Sequence, residues 1–195
     1  MFFGGSFTQK GGGPGGWWTI VNQELRATLP QLNIQLFNAG RAGDLMPDLQ
    51  QRINNVRGNM PGLVVMLVGD SDTSGDAGKP GVPIGQFEAG LRVLVDRAAY
   101  RDANILLCTP PFPAGKHDDT PGFNERFEAY CDVIRQVAAE TGCQLLDLRR
   151  AFIARERKGA AAEKHPAPLT EDGSNLNDAG QMFVAEQMLK ALGVR

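Results

Sequence analysis

The sequence is poor in the residues on which several functional classes depend. Only three of its 195 residues are cysteine (Cys108, Cys131 and Cys143). Their number is odd and their spacing fits no metal-ligand pattern, which argues against a disulfide framework and against a structural zinc site. Two histidines, His117 and His165, exclude a histidine-rich metal centre and leave two candidates at most for histidine-dependent catalysis. No metal and no cofactor is therefore expected. No apolar run approaches the roughly 20 residues that a membrane span requires. Net charge is small, with 20 Lys+Arg against 22 Asp+Glu, so no global field draws the chain to nucleic acid or to an anionic membrane. Repeats and domain linkers are missing too, and a single domain over residues 1–195 is expected. What is present is ordinary: 42% apolar and 22% charged residues, enough for one sizeable core.

The chain opens on Met1-Phe2-Phe3 and runs at once into Gly4-Gly5-Ser6. Three residues are few for a buried strand, where about five are usual. The first strand is expected to be stunted or the chain clipped. The location that follows is cytoplasmic as written, and secreted or periplasmic if a signal peptide has been lost. A glycine-rich loop from Lys10 to Gly16 precedes a helical pattern of Trp17, Trp18, Val21, Leu25 and Leu29, stopped by Pro30. Asn33 to Phe37 reads as a strand, and Asp44 as the N-cap of a helix carrying Leu45, Leu49, Ile53 and Val56.

Leu63 to Val68 is the strongest strand, apolar on both faces as in the centre of a parallel sheet. A polar loop, Gly69 to Gly81, leads to a helix through Phe87, Leu91 and Leu94. Asn104 to Cys108 is a further buried strand, followed by a proline-rich loop. A long amphipathic helix through Phe127, Ile134 and Val137 stops at Gly142. Gln144 to Asp147, a polar helix near 148–158, a loop and a last helix complete the chain. Strands alternate with helices throughout, which predicts a three-layer α/β fold with about five parallel strands.

In such sheets ligands bind beyond the carboxyl ends of the strands. Five segments at those ends carry a pattern: Phe3-Gly4-Gly5-Ser6-Phe7-Thr8-Gln9, Asn38-Ala39-Gly40-Arg41-Ala42-Gly43-Asp44, Gly69-Asp70-Ser71-Asp72, Cys108-Thr109-Pro110-Pro111, and Asp172-Gly173-Ser174-Asn175 before the last helix. In this order they resemble the SGNH/GDSL hydrolases, esterases and lipases of small, flavodoxin-like α/β fold, over essentially the whole chain. The resemblance implies Ser6 as nucleophile and a backbone donor of the oxyanion hole, Gly40 as a second backbone donor, Ser71 at the place of the oxyanion asparagine, and Asp172 as the orienting carboxylate. It puts Asn175 where the catalytic histidine belongs and Gly5 where the motif has Asp. The implied ligand is a small-molecule ester, such as an acylated carbohydrate or lipid; oligomeric state is left open.

These departures bear on activity. Hydrolysis by serine needs a base that takes the hydroxyl proton near neutral pH and returns it to the leaving group. An asparagine amide does neither. Loss of a triad base costs about 10⁴ to 10⁶ in turnover, and loss of an oxyanion donor about 10² to 10³. The chain therefore reads as an esterase scaffold with impaired catalysis. The alternative is an active acylhydrolase with a rearranged base, His165 or His117. A third class is open as well: an apolar strand followed by Asp70-Ser71-Asp72, with Ile105 to Thr109 further on, is similar to haloacid dehalogenase-type phosphatases, although about 60 residues precede the first motif here. The same loop echoes an EF-hand, but its twelfth position is Gly81 and not Glu. Bland readings stand beside each residue: Ser6 as a loop or cap serine, Asp172 as a turn cap, the two histidines as solvated loop residues, and Trp17-Trp18 as core or pocket wall.

Overall fold

Apolar runs form the strands, and runs with helical spacing pack against them. The computed structural model describes residues 1–75, 78–111, 122–161, 168–173 and 175–194. The chain runs β1 (Phe2–Gly4), α1 (Ser6–Gly11), α2 (Trp17–Thr28), β2 (Asn38–Gly40), α3 (Met46–Gly58), β3 (Leu63–Leu67), α4 (Asp70–Ser74), α5 (Ile84–Ala98), β4 (Asn104–Cys108), α6 (Phe123–Thr141), β5 (Gln144–Leu146), α7 (Leu148–Ala161) and α8 (Asp178–Ala191). All five strands pair in parallel, in the order β2-β1-β3-β4-β5. This is the expected α/β fold with five parallel strands, in the doubly wound order of flavodoxin-like sheets.

The strand period of two sorts the core into two layers. Phe3, Val64, Met66, Ile105 and Leu107 face the helices α3, α5 and α6, where they meet Leu49, Leu91 and Ile134. Phe2, Val65, Leu67, Leu106 and Cys108 face the other side and meet Trp17 and Val21 of α2, Phe152 of α7, and Val184 and Met188 of α8. β1 is as short as expected, yet it lies between β2 and β3 with Phe2 and Phe3 buried. The Met1 ammonium donates to Leu63 O at 2.7 Å, and burial lowers its pKa to about 6.

Two local expectations are corrected. The strand expected at Asn33–Phe37 instead begins at Asn38. Phe2 pairs with Asn38 in register, so residues 33–36 lie beyond the Met1 end of β1. Ile34 and Leu36 pack on the α2/α8 layer without joining the ladder. Asp44 does not cap α3. The amides at that helix start are taken by other carboxylates: Leu45 N–H donates to Asp48 Oδ2 at 3.0 Å and Met46 N–H to Asp72 Oδ1 at 2.7 Å.

Asp44 is buried and pairs with Arg52 of α3. The same guanidinium donates from Nη1 to Ala39 O at 2.7 Å and from Nη2 to Gly4 O at 2.8 Å, and it lies over the Phe3 ring. One side chain thus ties the carboxyl ends of β1 and β2 to the segment that follows β2. Removing one partner of a buried pair leaves the other charge uncompensated. Arg52→Ala is expected to lower unfolding free energy by about 3–5 kcal/mol in chemical denaturation; a loss within about 0.5 kcal/mol would deny that role.

Asp72 gives a pH-dependent counterpart. Burial, chiefly, raises its pKa to about 6, against hydrogen bonds from Met46 and Gly69 that act the other way. A raised folded-state pKa means that the folded state binds a proton, between about pH 6 and 4, which the unfolded chain has released. The contribution of this group to stability therefore grows as pH falls through 6 and is lost as pH rises. Relative to Asp72→Asn, the unmodified protein is expected to gain up to about 3 kcal/mol in unfolding free energy as pH drops from about 7 to about 4. Parallel pH profiles of the two proteins would contradict this.

Candidate active site

The turn from β1 into α1 brings Ser6 to the carboxyl edge of the sheet as the first residue of α1. Gly4 makes the turn possible, since a Cβ there would run into Leu67 O of the neighbouring strand. The loop after β2 folds over this corner. Asn38 Nδ2 donates to Thr8 O at 2.8 Å, Ala42 N–H to Gln9 Oε1 at 2.6 Å, and Arg41 N–H to Gly4 O at 3.1 Å. The loop ends with Gly43 in a left-handed conformation at φ 77°. Its N–H donates to Ser6 Oγ at 3.2 Å, and its carbonyl accepts from Lys79 Nζ at 3.1 Å.

The backbone donor beside Ser6 is thus that of Gly43 and not of Gly40. The Gly40 N–H is spent on Asn38 Oδ1 at 2.9 Å. Glycine at 40 has a packing reason instead, because a Cβ there would collide with the backbone of Thr8 and Gln9. Position 43 was legible as the second glycine of Asn38-Ala39-Gly40-Arg41-Ala42-Gly43-Asp44, but spacing alone gives no way to choose between the two.

A cleft of about 220 Å³ opens at this edge. Ser6, Ser71 and Asn175 all line it, with Phe7, Trp17 and Phe123 as apolar walls. Trp17 is both core and wall: it is buried, its ring stacks on Phe7 at 5.9 Å, and its backbone N–H donates to Gln181 Oε1 of α8 at 2.9 Å. Ser71 comes from α4, a short helix over 70–74 where only a polar loop was expected. Asp70 of the same helix also reaches the cleft; a Cβ on Gly5 would stand 3.9 Å from Asp70 Oδ1 and 3.0 Å from Asp44 O. Carboxylate already borders the space where the family motif has its Asp, and the backbone leaves little room for another.

Asp172 and Asn175 lie on the turn before α8. Asn175 N–H donates to Asp172 Oδ1 and its Nδ2 to Asp172 Oδ2, each at 2.7 Å. Asp172 therefore holds the residue at position 175 and is not a mere turn cap; the cap of α8 is Asn177, which accepts from Gly180 N–H at 2.9 Å. The other polar atom of the Asn175 side chain, Oδ1, accepts from Lys10 Nζ at 2.8 Å. Lys10 was expected in a loop, but α1 continues to Gly11 and carries it one turn beyond Ser6. Sequence reasoning missed this residue for that reason.

His117 and His165 lie outside the described residues. The phosphatase reading does not fit the geometry. Asp72 is buried and turned to the start of α3, while Asp70 faces the cleft, so the two carboxylates do not converge. Among the cysteines, Cys108 and Cys131 are buried, and burial raises both thiol pKa values, that of Cys131 to about 12. Neither is a nucleophile in waiting.

The likeness to known proteins runs over nearly the whole chain. Residues 2–182 match the model of the GDSL-like lipase/acylhydrolase family. An acetylxylan esterase of Geobacillus stearothermophilus is 28% identical over 175 residues, which cover 87% of this chain and 77% of that protein. Among solved structures, the acetyl xylan esterase AlAXEase superposes with a TM-score of 0.85 at 31% identity, covering 98% of each chain. An alpha/beta hydrolase enzyme from the metagenome of Lake Arreo, Spain, superposes with a TM-score of 0.81 at 28% identity, covering 99% of this chain and 94% of that one. With its five-stranded parallel sheet and a family match across this span, the chain belongs to the GDSL-like lipase/acylhydrolase family.

Proposed function

We propose that this chain is a carbohydrate-directed esterase scaffold that admits an acylated sugar to the cleft at Ser6 but turns the ester over poorly at neutral pH. The substrate class follows from its relatives, which are acetylxylan esterases by name. The cleft suits a small acyl group beside a hydrophobic wall, in the manner of pockets with a few convergent polar groups.

The observation that carries the reading is the state of Asn175. Its amide donates to Asp172 and accepts from Lys10. An imidazole in that place would take its orientation from Asp172 and the proton from Ser6 Oγ. The amide keeps the geometry and lacks the protonation equilibrium. In the proposed scheme Ser6 Oγ attacks the ester carbonyl, and the oxyanion accepts from the N–H groups of Ser6 and Gly43 and from the Ser71 hydroxyl. Gly43 takes the role first assigned to Gly40, since its N–H already points to Ser6 Oγ. Ser71 is a shorter donor than asparagine, so the hole is weakened along with the base.

The test is hydrolysis of a short aryl ester and of an acetylated xylo-oligosaccharide at neutral pH. The unmodified protein is expected to stay near the Ser6→Ala background. Asn175→His is expected to raise turnover by about 10²-fold or more, and adding Ser71→Asn to raise it beyond the product of the two single effects, because base and oxyanion donors act as a unit. Strong Ser6-dependent turnover in the unmodified protein at neutral pH would overturn the reading. His165→Ala and His117→Ala would then identify the rearranged base.

A further inference from the structure

Ser6 and Lys10 are four residues apart on α1 and both line the cleft. That spacing puts two side chains on one face of a helix, one above the other. Lys10 Nζ is held by Asn175 Oδ1 at 2.8 Å, and Asn175 in turn is held by Asp172 through Nδ2. Amine, amide and carboxylate therefore form a hydrogen-bonded chain that begins four residues from Ser6 on the same helix and in the same cleft. An amine is the only proton-accepting side chain other than Asp70 that the described residues bring to this cleft.

We infer that Lys10 is the general base of Ser6 in this protein, with Asn175 and Asp172 as its positioning residues. The inference rests on the cleft and nucleophile of the proposed function and adds the group that moves the proton. With Lys10 in its neutral form, Nζ takes the proton of Ser6 Oγ–H as the Oγ–C bond forms at the ester carbonyl. Collapse of the tetrahedral adduct breaks the C–O bond to the alcohol, which leaves with the proton from Nζ. Water then repeats the sequence on the acyl-serine, giving the carboxylic acid and free Ser6. Serine–lysine pairs are a recognised form of the activated nucleophile.

A lysine amine is neutral in quantity only in alkaline solution. Activity through Lys10 is thus small at neutral pH and climbs with pH. Among the described residues, the charged groups at the cleft beside Lys10 are carboxylates: Asp70 from α4, and Asp172 behind Asn175 on the turn before α8. The helices α2 and α8 face it with the neutral Trp17 and Gln181.

The test is covalent labelling of Ser6 by a fluorophosphonate, read by intact mass. The Oγ–P bond forms, fluoride leaves and the proton passes to the base, so no deacylation step is involved. The unmodified protein is expected to label about tenfold faster per pH unit between about pH 7 and 9, and Ser6→Ala not to label. Lys10→Met and Lys10→Arg are both expected to lose the rise and to label at least about 30-fold more slowly near pH 9. Arginine keeps the charge and a donor toward Asn175 but cannot accept the proton. Labelling of Lys10→Arg at the unmodified rate, or a flat profile in the unmodified protein, would overturn the inference. Asn175→His separates the two readings. If it labels at neutral pH while the Lys10 variants behave as the unmodified protein, the cleft stands and Lys10 is not the base. If it fails to label, the reading of the cleft itself fails.

Discussion

The site depends on one guanidinium. Arg52 binds Gly4 O and Ala39 O, the last turns of chain in β1 and β2, and pairs with buried Asp44 just beyond Gly43. Three charge-assisted contacts on a single planar group fix the angle between the β1–α1 turn and the loop after β2. Ser6 sits on the first and Gly43 on the second. Their 3.2 Å contact is therefore a consequence of how Arg52 is held, and Arg52 is held because Asp44 is buried beside it. A lysine at this position would supply a point charge without the fork that reaches two carbonyls and a carboxylate together.

Around that anchor the side chain of Asn175 is held from both ends. The Asn175 amide has a donor and an acceptor engaged, to Asp172 and to Lys10. Asn175 is exposed, so these bonds orient it rather than offset a burial cost. Asn175 is thus placed by Asp172 on one side and Lys10 on the other. Beside Gly5, Asp70 brings a carboxylate to the neighbouring space, so the missing side chain leaves no hole in the charge pattern.

Much of the fold was legible because parallel sheets announce themselves. Leu63–Leu67 and Asn104–Cys108 are apolar on both faces, and α6 ends where Gly142 supplies a left-handed residue at φ 70°. The failures are at places where a partner far along the chain decides. Residues 33–36 have strand composition, but the register with β1 gives them no ladder. Asp44 has the chemistry of a cap, but Arg52 outcompetes the helix start for it. Gly40 and Gly43 are alike in sequence; their N–H bonds separate them, that of Gly40 going to Asn38 Oδ1 and that of Gly43 to Ser6 Oγ. Lys10 was hidden in a glycine-rich run whose first turn is helical. Of the residues picked out by motif order, Ser6, Ser71 and Asn175 line one cleft and Asp172 bonds to Asn175. Gly43 and Lys10 needed coordinates.

The central claim is that the cleft receives an acylated sugar at Ser6 and leaves its ester intact at neutral pH. A crystal structure of the unmodified protein, soaked at neutral pH with an acetylated xylo-oligosaccharide, tests this most directly. The account predicts an uncleaved acetyl ester, with its carbonyl carbon within about 3.5 Å of Ser6 Oγ and its carbonyl oxygen within hydrogen-bond reach of the Gly43 N–H. A deacetylated sugar in the cleft, an acetyl group on Ser6, or a sugar bound away from Ser6 would contradict it.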